Sequence, residues 1–282
     1  MKVLKFGGGC LKDAESIKKL PKILSKFSNE TIFIVVSAFG KMTNMLEQHN
    51  FEAVFSFVNQ IMEELNFNSA DIESVLNRQN KHLQSSKKSS YTYRVSLGEY
   101  LSSLIIQKYL HNYKNIYTNE LNAADYVFTE SWNSELKSAV LYTTAFSIYS
   151  QDDDFLVNIY QKLTPYKTLV TQGFIASEFQ SREITTLGRE GSDYSAAIFG
   201  AALNAVDAVI LFKDVDGVYN KDPKKYPDAE LFSHLTYDDA FKLCSNGNTV
   251  VHPKTINHLK QKKIPLVIKN FDDLSKPGTV IS

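Results

Sequence analysis

The run Thr31-Ile32-Phe33-Ile34-Val35-Val36 is β-branched or aromatic at every position. A strand written this way has no polar face, so helices must cover it on both sides. Two further stretches have the same character, Asp207-Ala208-Val209-Ile210-Leu211-Phe212 and Ile264-Pro265-Leu266-Val267-Ile268. Shorter ones lie at residues 2–6, 115–118 and 167–171. Helical patterns separate them. Asp13 to Phe27 carries Ile17, Leu20, Ile23, Leu24 and Phe27 at helical spacing, with Pro21 as an expected kink. A long helical stretch is expected from about Met45 to Ser86, and further helices over Tyr91 to His111, Asp152 to Leu163, Ser195 to Ala202, Thr236 to Cys244 and His252 to Lys262. Strand and helix alternate throughout, which predicts an α/β fold: a three-layer α/β/α sandwich with a mainly parallel central sheet. In such sheets ligands bind at the carboxyl ends of the strands, and the expected strands end in Gly, Asp, Thr or Lys.

Composition narrows the classes of function. The 282 residues form one large domain (1–282) or two modest lobes, and 43% hydrophobic with 22% charged residues is ordinary for a globular chain. Lys plus Arg (31) balance Asp plus Glu (31), so no global field favours nucleic acid or an anionic membrane. The N-terminus lacks the apolar core of a signal peptide, and no apolar run approaches the ~20 residues of a membrane span. Cys10 and Cys244 are far apart and the six histidines show no zinc spacing. A reducing cytoplasm is expected.

The stretch Thr185-Thr186-Leu187-Gly188-Arg189-Glu190-Gly191-Ser192-Asp193 opens a small-residue helix. Free backbone N–H groups and the helix dipole make such a start an anion site; Arg189 adds a carboxylate clamp and Asp193 a group to position cations. Lys5-Phe6-Gly7-Gly8-Gly9 puts a lysine on the first strand just before a glycine cluster, suited to a transferring phosphoryl group. Glu99 follows a glycine near an expected helix start, where a carboxylate is also favoured by the dipole alone. Asp214-Val215-Asp216-Gly217-Val218-Tyr219 follows a strand and offers an aromatic to a nucleotide base, although Asp-Gly is also a hairpin signal. There is no P-loop and no strand-linked Gly-x-Gly-x-x-Gly.

As an ordered set these segments resemble the amino-acid kinase superfamily, and within it the aspartokinases. The resemblance rests on Lys5-Phe6-Gly7-Gly8, Val36 to Asn44, Leu97-Gly98-Glu99, Thr171-Gln172-Gly173-Phe174-Ile175, Thr186 to Tyr194, Asp214 to Tyr219 with Asp222-Pro223, and Val250-Val251-His252-Pro253. It implies transfer of the ATP γ-phosphoryl group to the side-chain carboxylate of L-aspartate, with Mg2+ accompanying the ATP. It implies an amino-acid-binding lobe over about 1–200, a nucleotide-binding lobe over about 201–282, and a homodimer. By the same resemblance Lys5, Gly7 and Gly8 hold the ATP phosphates. Ser37 and Thr43 contact aspartate, Glu99 its ammonium and Arg189 its α-carboxylate. Phe174 closes the pocket, and Ser192 and Asp193 order the reacting centre. Asp214 and Tyr219 line the nucleotide pocket, with Lys224 near the phosphates.

This sequence departs from the family pattern in places. Gly9-Cys10 stands where the family usually has Thr-Ser, and Glu190 where a glycine is common. Thr249 stands at a usual phosphate-binding lysine, while Lys213 precedes Asp-Val-Asp-Gly, as in plant-type members. Lys213 is therefore expected to supply the missing cation and to act in catalysis with Lys5 and Asp193. No sequence follows Ser282 for the paired ACT regulatory domains of many aspartokinases, so lysine and threonine are not expected to inhibit this chain on its own. Two alternatives stay open: a sibling kinase for another small acid such as glutamate or acetylglutamate, and a weakened relative that only binds nucleotide or amino acid.

Overall fold

In chain order the strands are β1 (Lys2–Phe6), β2 (Ile32–Val36), β3 (Thr118–Leu121), β4 (Phe128–Thr129), β5 (Ser147–Ile148), β6 (Thr168–Gln172), β7 (Ile175–Glu178), β8 (Ile184–Thr186), β9 (Ala208–Lys213), β10 (His234–Leu235), β11 (Leu266–Asn270) and β12 (Thr279–Ile281). The α-helices are α1 (Ala14–Lys18), α2 (Leu20–Leu24), α3 (Met42–Glu47), α4 (Phe51–Glu64), α5 (Ser69–Gln84), α6 (Tyr91–Lys108), α7 (Gly191–Ala202), α8 (Tyr237–Ser245) and α9 (Pro253–Lys262). This is a computed structural model, and it describes residues 1–85, 90–129, 147–148, 159, 161, 167–188, 190–203, 206–223, 225–246 and 250–282.

The main sheet has eight strands in the order β10-β12-β11-β9-β1-β2-β6-β3. It is parallel except where β11 meets β12. Every side chain of β2 is buried, and alternate residues go to opposite faces, as strand geometry requires. Ile32, Ile34 and Val36 join a core with Ile17, Leu20, Met42, Val54 and Leu101 from the helices preceding β3. Phe33 and Val35 join a second core with Ala196, Ala197 and Phe199 of α7 and Ile256 and Leu259 of α9. The sheet is thus the middle of three layers, the arrangement read from its strand pattern. A second, four-stranded sheet, β5-β4-β7-β8, stands beside it; the sequence reading assigned no strands over 175–186.

Element boundaries differ from expectation for identifiable reasons. The expected helix over Asp13–Phe27 is two short helices and a 3-10 turn. It breaks at Lys19, and Pro21 sits within the first turn of α2, where its missing N–H costs nothing. The single helical stretch expected over Met45–Ser86 is three helices. His49 and Asn66 adopt left-handed backbone, with φ of 59° and 58°. The Asn50 and Asn68 side chains accept from the N–H groups of Ala53 and Asp71, starting α4 and α5. The expected strand at 115–118 is shifted to Thr118–Leu121. The helix expected over Asp152–Leu163 falls almost wholly outside the described residues. Thr236 caps α8 as expected, accepting from Asp239 N–H at 3.1 Å.

Candidate active site

Strand parity places the two lysines. Val3 of β1 and Val209 and Leu211 of β9 face the core that contains α7. Lys5 and Lys213 share their parity, so both side chains leave the sheet on the α7 side, at its carboxyl edge. There they meet one carboxylate. Asp193, in the first turn of α7, is fully buried, with Oδ1 at 2.5 Å from Lys5 Nζ and Oδ2 at 2.6 Å from Lys213 Nζ. Burial pushes the Asp193 pKa up, but the two ammonium groups outweigh it and hold the carboxyl below its ordinary value. Burial pulls Lys213 down, and Asp193 and Glu190 together outweigh that and raise its pKa. Asp193 and Lys213 are therefore charged.

The loops around this triad are held by close packing. A Cβ on Gly8 would lie 2.6 Å from the Ala38 carbonyl oxygen, so only glycine lets these strand ends approach so closely. A Cβ on Gly173 would lie 2.4 Å from Ser192 Cβ. Across that junction Ser37 Oγ donates to Ser192 Oγ at 2.6 Å, and Phe174 N–H donates to Ser195 Oγ at 2.9 Å. The start of α7 is thereby tied to the ends of β2 and β6. Phe174 itself is left-handed, with φ of 67°.

A cavity of about 660 Å³ opens at this edge. It is lined by Lys5, Gly7, Gly8, Ser37, Thr43, Glu99, Phe174, Ser192, Lys213 and Asp214, ten of the residues singled out in the sequence. Asp193 lies beneath its floor. Tyr219 lines a second cavity of about 710 Å³, together with Glu190, Lys213 and Asp214, which border both. Its hydroxyl donates to Asp216 Oδ2 at 3.2 Å. Arg189, Lys224 and Thr249 lie outside the described residues.

Glu99 is in the middle of α6, not near its start, so the helix-dipole reading is removed. The residue is 3% exposed; Oε1 accepts from Ala38 N–H at 3.4 Å and Oε2 has no partner among the described residues. Burial pushes its pKa up to about 8. The Thr186 hydroxyl, also buried and unpartnered, lines the same cavity. Thr186 was visible in the motif but received no role, because nothing in a sequence says which hydroxyl will lack a partner. Cys10 is not a phosphate donor: its thiol reaches the Phe212 carbonyl oxygen at 3.3 Å, and burial, opposed by Lys5, pushes its pKa up to about 11.

Among the described residues no three His, Cys, Asp or Glu side chains gather to cage a metal. Both Asp193 oxygens are taken by lysines. An Mg2+ ion carried on phosphates needs only one or two carboxylates, and Asp214 faces both cavities. Among the described residues no helix is long and apolar enough to cross a membrane.

A glycine-rich strand end, two lysines on one buried carboxylate and two adjoining cavities mark this edge of an α/β sheet as the candidate site. The model of the amino acid kinase family matches residues 1–270. The chain belongs to that family. It is 31% identical to a bifunctional aspartokinase/homoserine dehydrogenase of Arabidopsis thaliana, over 99% of this chain and 32% of that protein. It is 30% identical to the chloroplastic aspartokinase 2 of the same plant, over 99% of this chain and 54% of that one. It thus spans about a third to a half of these relatives. The aspartate kinase of Clostridium acetobutylicum matches the whole chain with a TM-score of 0.80 at 27% identity, over 63% of its own length. E. coli aspartokinase III, solved with aspartate and ADP, superposes with a TM-score of 0.83 at 22% identity, over 64% of its length.

Proposed function

We propose that this chain is the catalytic domain of an aspartate kinase, transferring the γ-phosphoryl group of ATP to the side-chain carboxylate of L-aspartate. The observation that carries this reading is Asp193, wholly buried and holding both Lys5, which lines the first cavity, and Lys213, which borders both. Relatives named aspartokinase, about 30% identical over nearly all of this chain, support it.

The acceptor is already an anion at neutral pH, so the reaction needs no general base. Its obstacle is repulsion between two anions, and its remedy is alignment with neutralisation. An aspartate carboxylate oxygen bonds to the γ-phosphorus as the bond to the β,γ-bridging oxygen breaks, and ADP leaves with that oxygen. Lys5 and Lys213 face the charge that develops, and Asp193 keeps them in place without competing for the phosphoryl group. The glycine turn after β1 brings backbone N–H groups to the phosphates. Glu99 receives the substrate ammonium, Ser37 and Thr43 border the amino acid, and Arg189 clamps its α-carboxylate bidentately. Tyr219 lines the nucleotide side, where Lys224 adds charge. Asp214 would hold the Mg2+ that accompanies the nucleotide, and that ion would supply further charge neutralisation. A homodimer in a reducing cytoplasm, with both buried thiols free, completes the proposal.

The test is ATP turnover with a panel of acceptors, trapping the acyl phosphate with hydroxylamine. Hydroxamate that forms with L-aspartate and not with L-glutamate or N-acetylglutamate is the expected result; product from another acid alone would overturn the reading. Lys213→Ala is expected to lower turnover at least about a hundredfold while aspartate binding changes little.

A further inference from the structure

Lys213 has two carboxylate partners, and they are unequal. Asp193 Oδ2 is 2.6 Å away, on a carboxylate inaccessible to solvent whose other oxygen meets Lys5. Glu190 Oε2 is 3.6 Å away on a side chain that is 36% exposed. The Glu190 backbone is fixed: its carbonyl accepts from the N–H groups of Asp193 and Tyr194 at 3.1 and 3.2 Å, and its φ of 55° is left-handed. Its side chain makes no capping bond to α7, although it stands at the N-cap. A carboxylate there borders both cavities and would repel the anions that enter either one. Its charge is matched instead by cations. Lys213 is one. Among the described residues Lys254 is another, donating to the Leu187 carbonyl oxygen at 2.7 Å and lying over the Tyr194 ring at 4.7 Å; burial lowers its pKa, and the charge of Glu190 works against that.

We propose that Glu190 is the displaceable partner of Lys213, holding its ammonium at the cavity junction and releasing it to the phosphate oxygens of an arriving nucleotide. Phosphate entry leaves the Asp193 contacts in place and exchanges only the long contact, and the released carboxylate turns toward solvent that already reaches it. Glu190 is thus a positioning residue that acts through Lys213 and sets how tightly nucleotide phosphates bind. The inference rests on the nucleotide reading of this site.

The experiment is calorimetric binding of ADP in EDTA to the whole chain and to Glu190→Gln, Lys213→Met and the double variant. Glu190→Gln is expected to tighten ADP binding about threefold to fivefold, the scale of a half-exposed ion pair. Lys213→Met is expected to weaken it about tenfold, and the Glu190→Gln gain is expected to vanish in that background. Lys213→Gln serves if the Met variant does not fold. Unchanged or weaker binding in Glu190→Gln overturns the inference, as does a gain that survives removal of Lys213. So does an effect seen in Glu190→Gly but not in Glu190→Gln, which would be backbone relief, or a loss seen only when Mg2+ is added, which would make Glu190 a metal ligand. If Lys213→Met weakens ADP and Glu190→Gln does nothing, the nucleotide reading stands and this inference falls. If Lys213→Met leaves ADP binding unchanged, both fall.

Discussion

Glu99 holds a carboxyl where water cannot solvate its charge, and its pKa of about 8 is the consequence. The sign of the effect on stability follows. Between the ordinary carboxyl value and about pH 8 the folded chain keeps a proton that the unfolded chain has lost. Stability therefore falls as pH rises through that window. Glu99→Gln removes the titration, so its melting temperature is expected to gain on the parent from about pH 5 to about pH 8; a constant difference would refute it. The Michaelis constant for aspartate is expected to fall over the upper half of that range in the parent only, because the ammonium seeks the ionised carboxylate. At this scale the sequence was informative about identity and silent about state. Leu97-Gly98-Glu99 marked the residue, but its depth in α6 and its unpartnered oxygen depend on which elements cover it.

The element that organises the site is α7, whose first turn carries Ser192 and Asp193. It lies against the end of β6 with no room to spare, since a Cβ on Gly173 would stand 2.4 Å from Ser192 Cβ and 3.1 Å from the Val36 carbonyl oxygen. Gly173→Ala is expected to push α7 off the sheet edge, costing about 2 kcal/mol in urea unfolding and lowering kcat more than it raises either Michaelis constant. An alanine variant with parental stability would show that the junction can relax. Long elements were legible because periodicity accumulates over many residues; β2, β9, α8 and α9 are examples. The division of 45–86 into three helices was less so, although Asn50 and Asn68 are recognisable N-caps in hindsight. Strands as short as β4, β7 and β8 carry too few residues for an alternation to stand out, and pairing with each other defines them.

At the scale of the molecule, two apolar cores on opposite faces of one sheet hold the strand ends level. Phe33 of β2 packs on Phe199 of α7 at 4.7 Å between ring centroids, wholly buried, and so couples the central strand to the helix that bears Asp193. Phe33→Ala is expected to cost about 3–5 kcal/mol in urea unfolding while the folded fraction keeps its Michaelis constants. A variant with normal stability, or one folded but unable to bind nucleotide, would contradict that division between scaffold and site. By itself, the order of residues determined the layers, because a strand with no polar face must be covered twice, and strand parity put Lys5 on the same side of its strand as Val3 and Lys213 on the same side as Val209 and Leu211. It also singled out ten residues that line the first cavity and Tyr219 in the second. The tertiary structure alone decided that Asp193 stands between those lysines, that Glu190 is the looser partner of one of them, and that burial raises the pKa of Glu99. Those outcomes turn on ångströms and on solvent exclusion, which are set by strand register and helix packing between segments far apart in the chain.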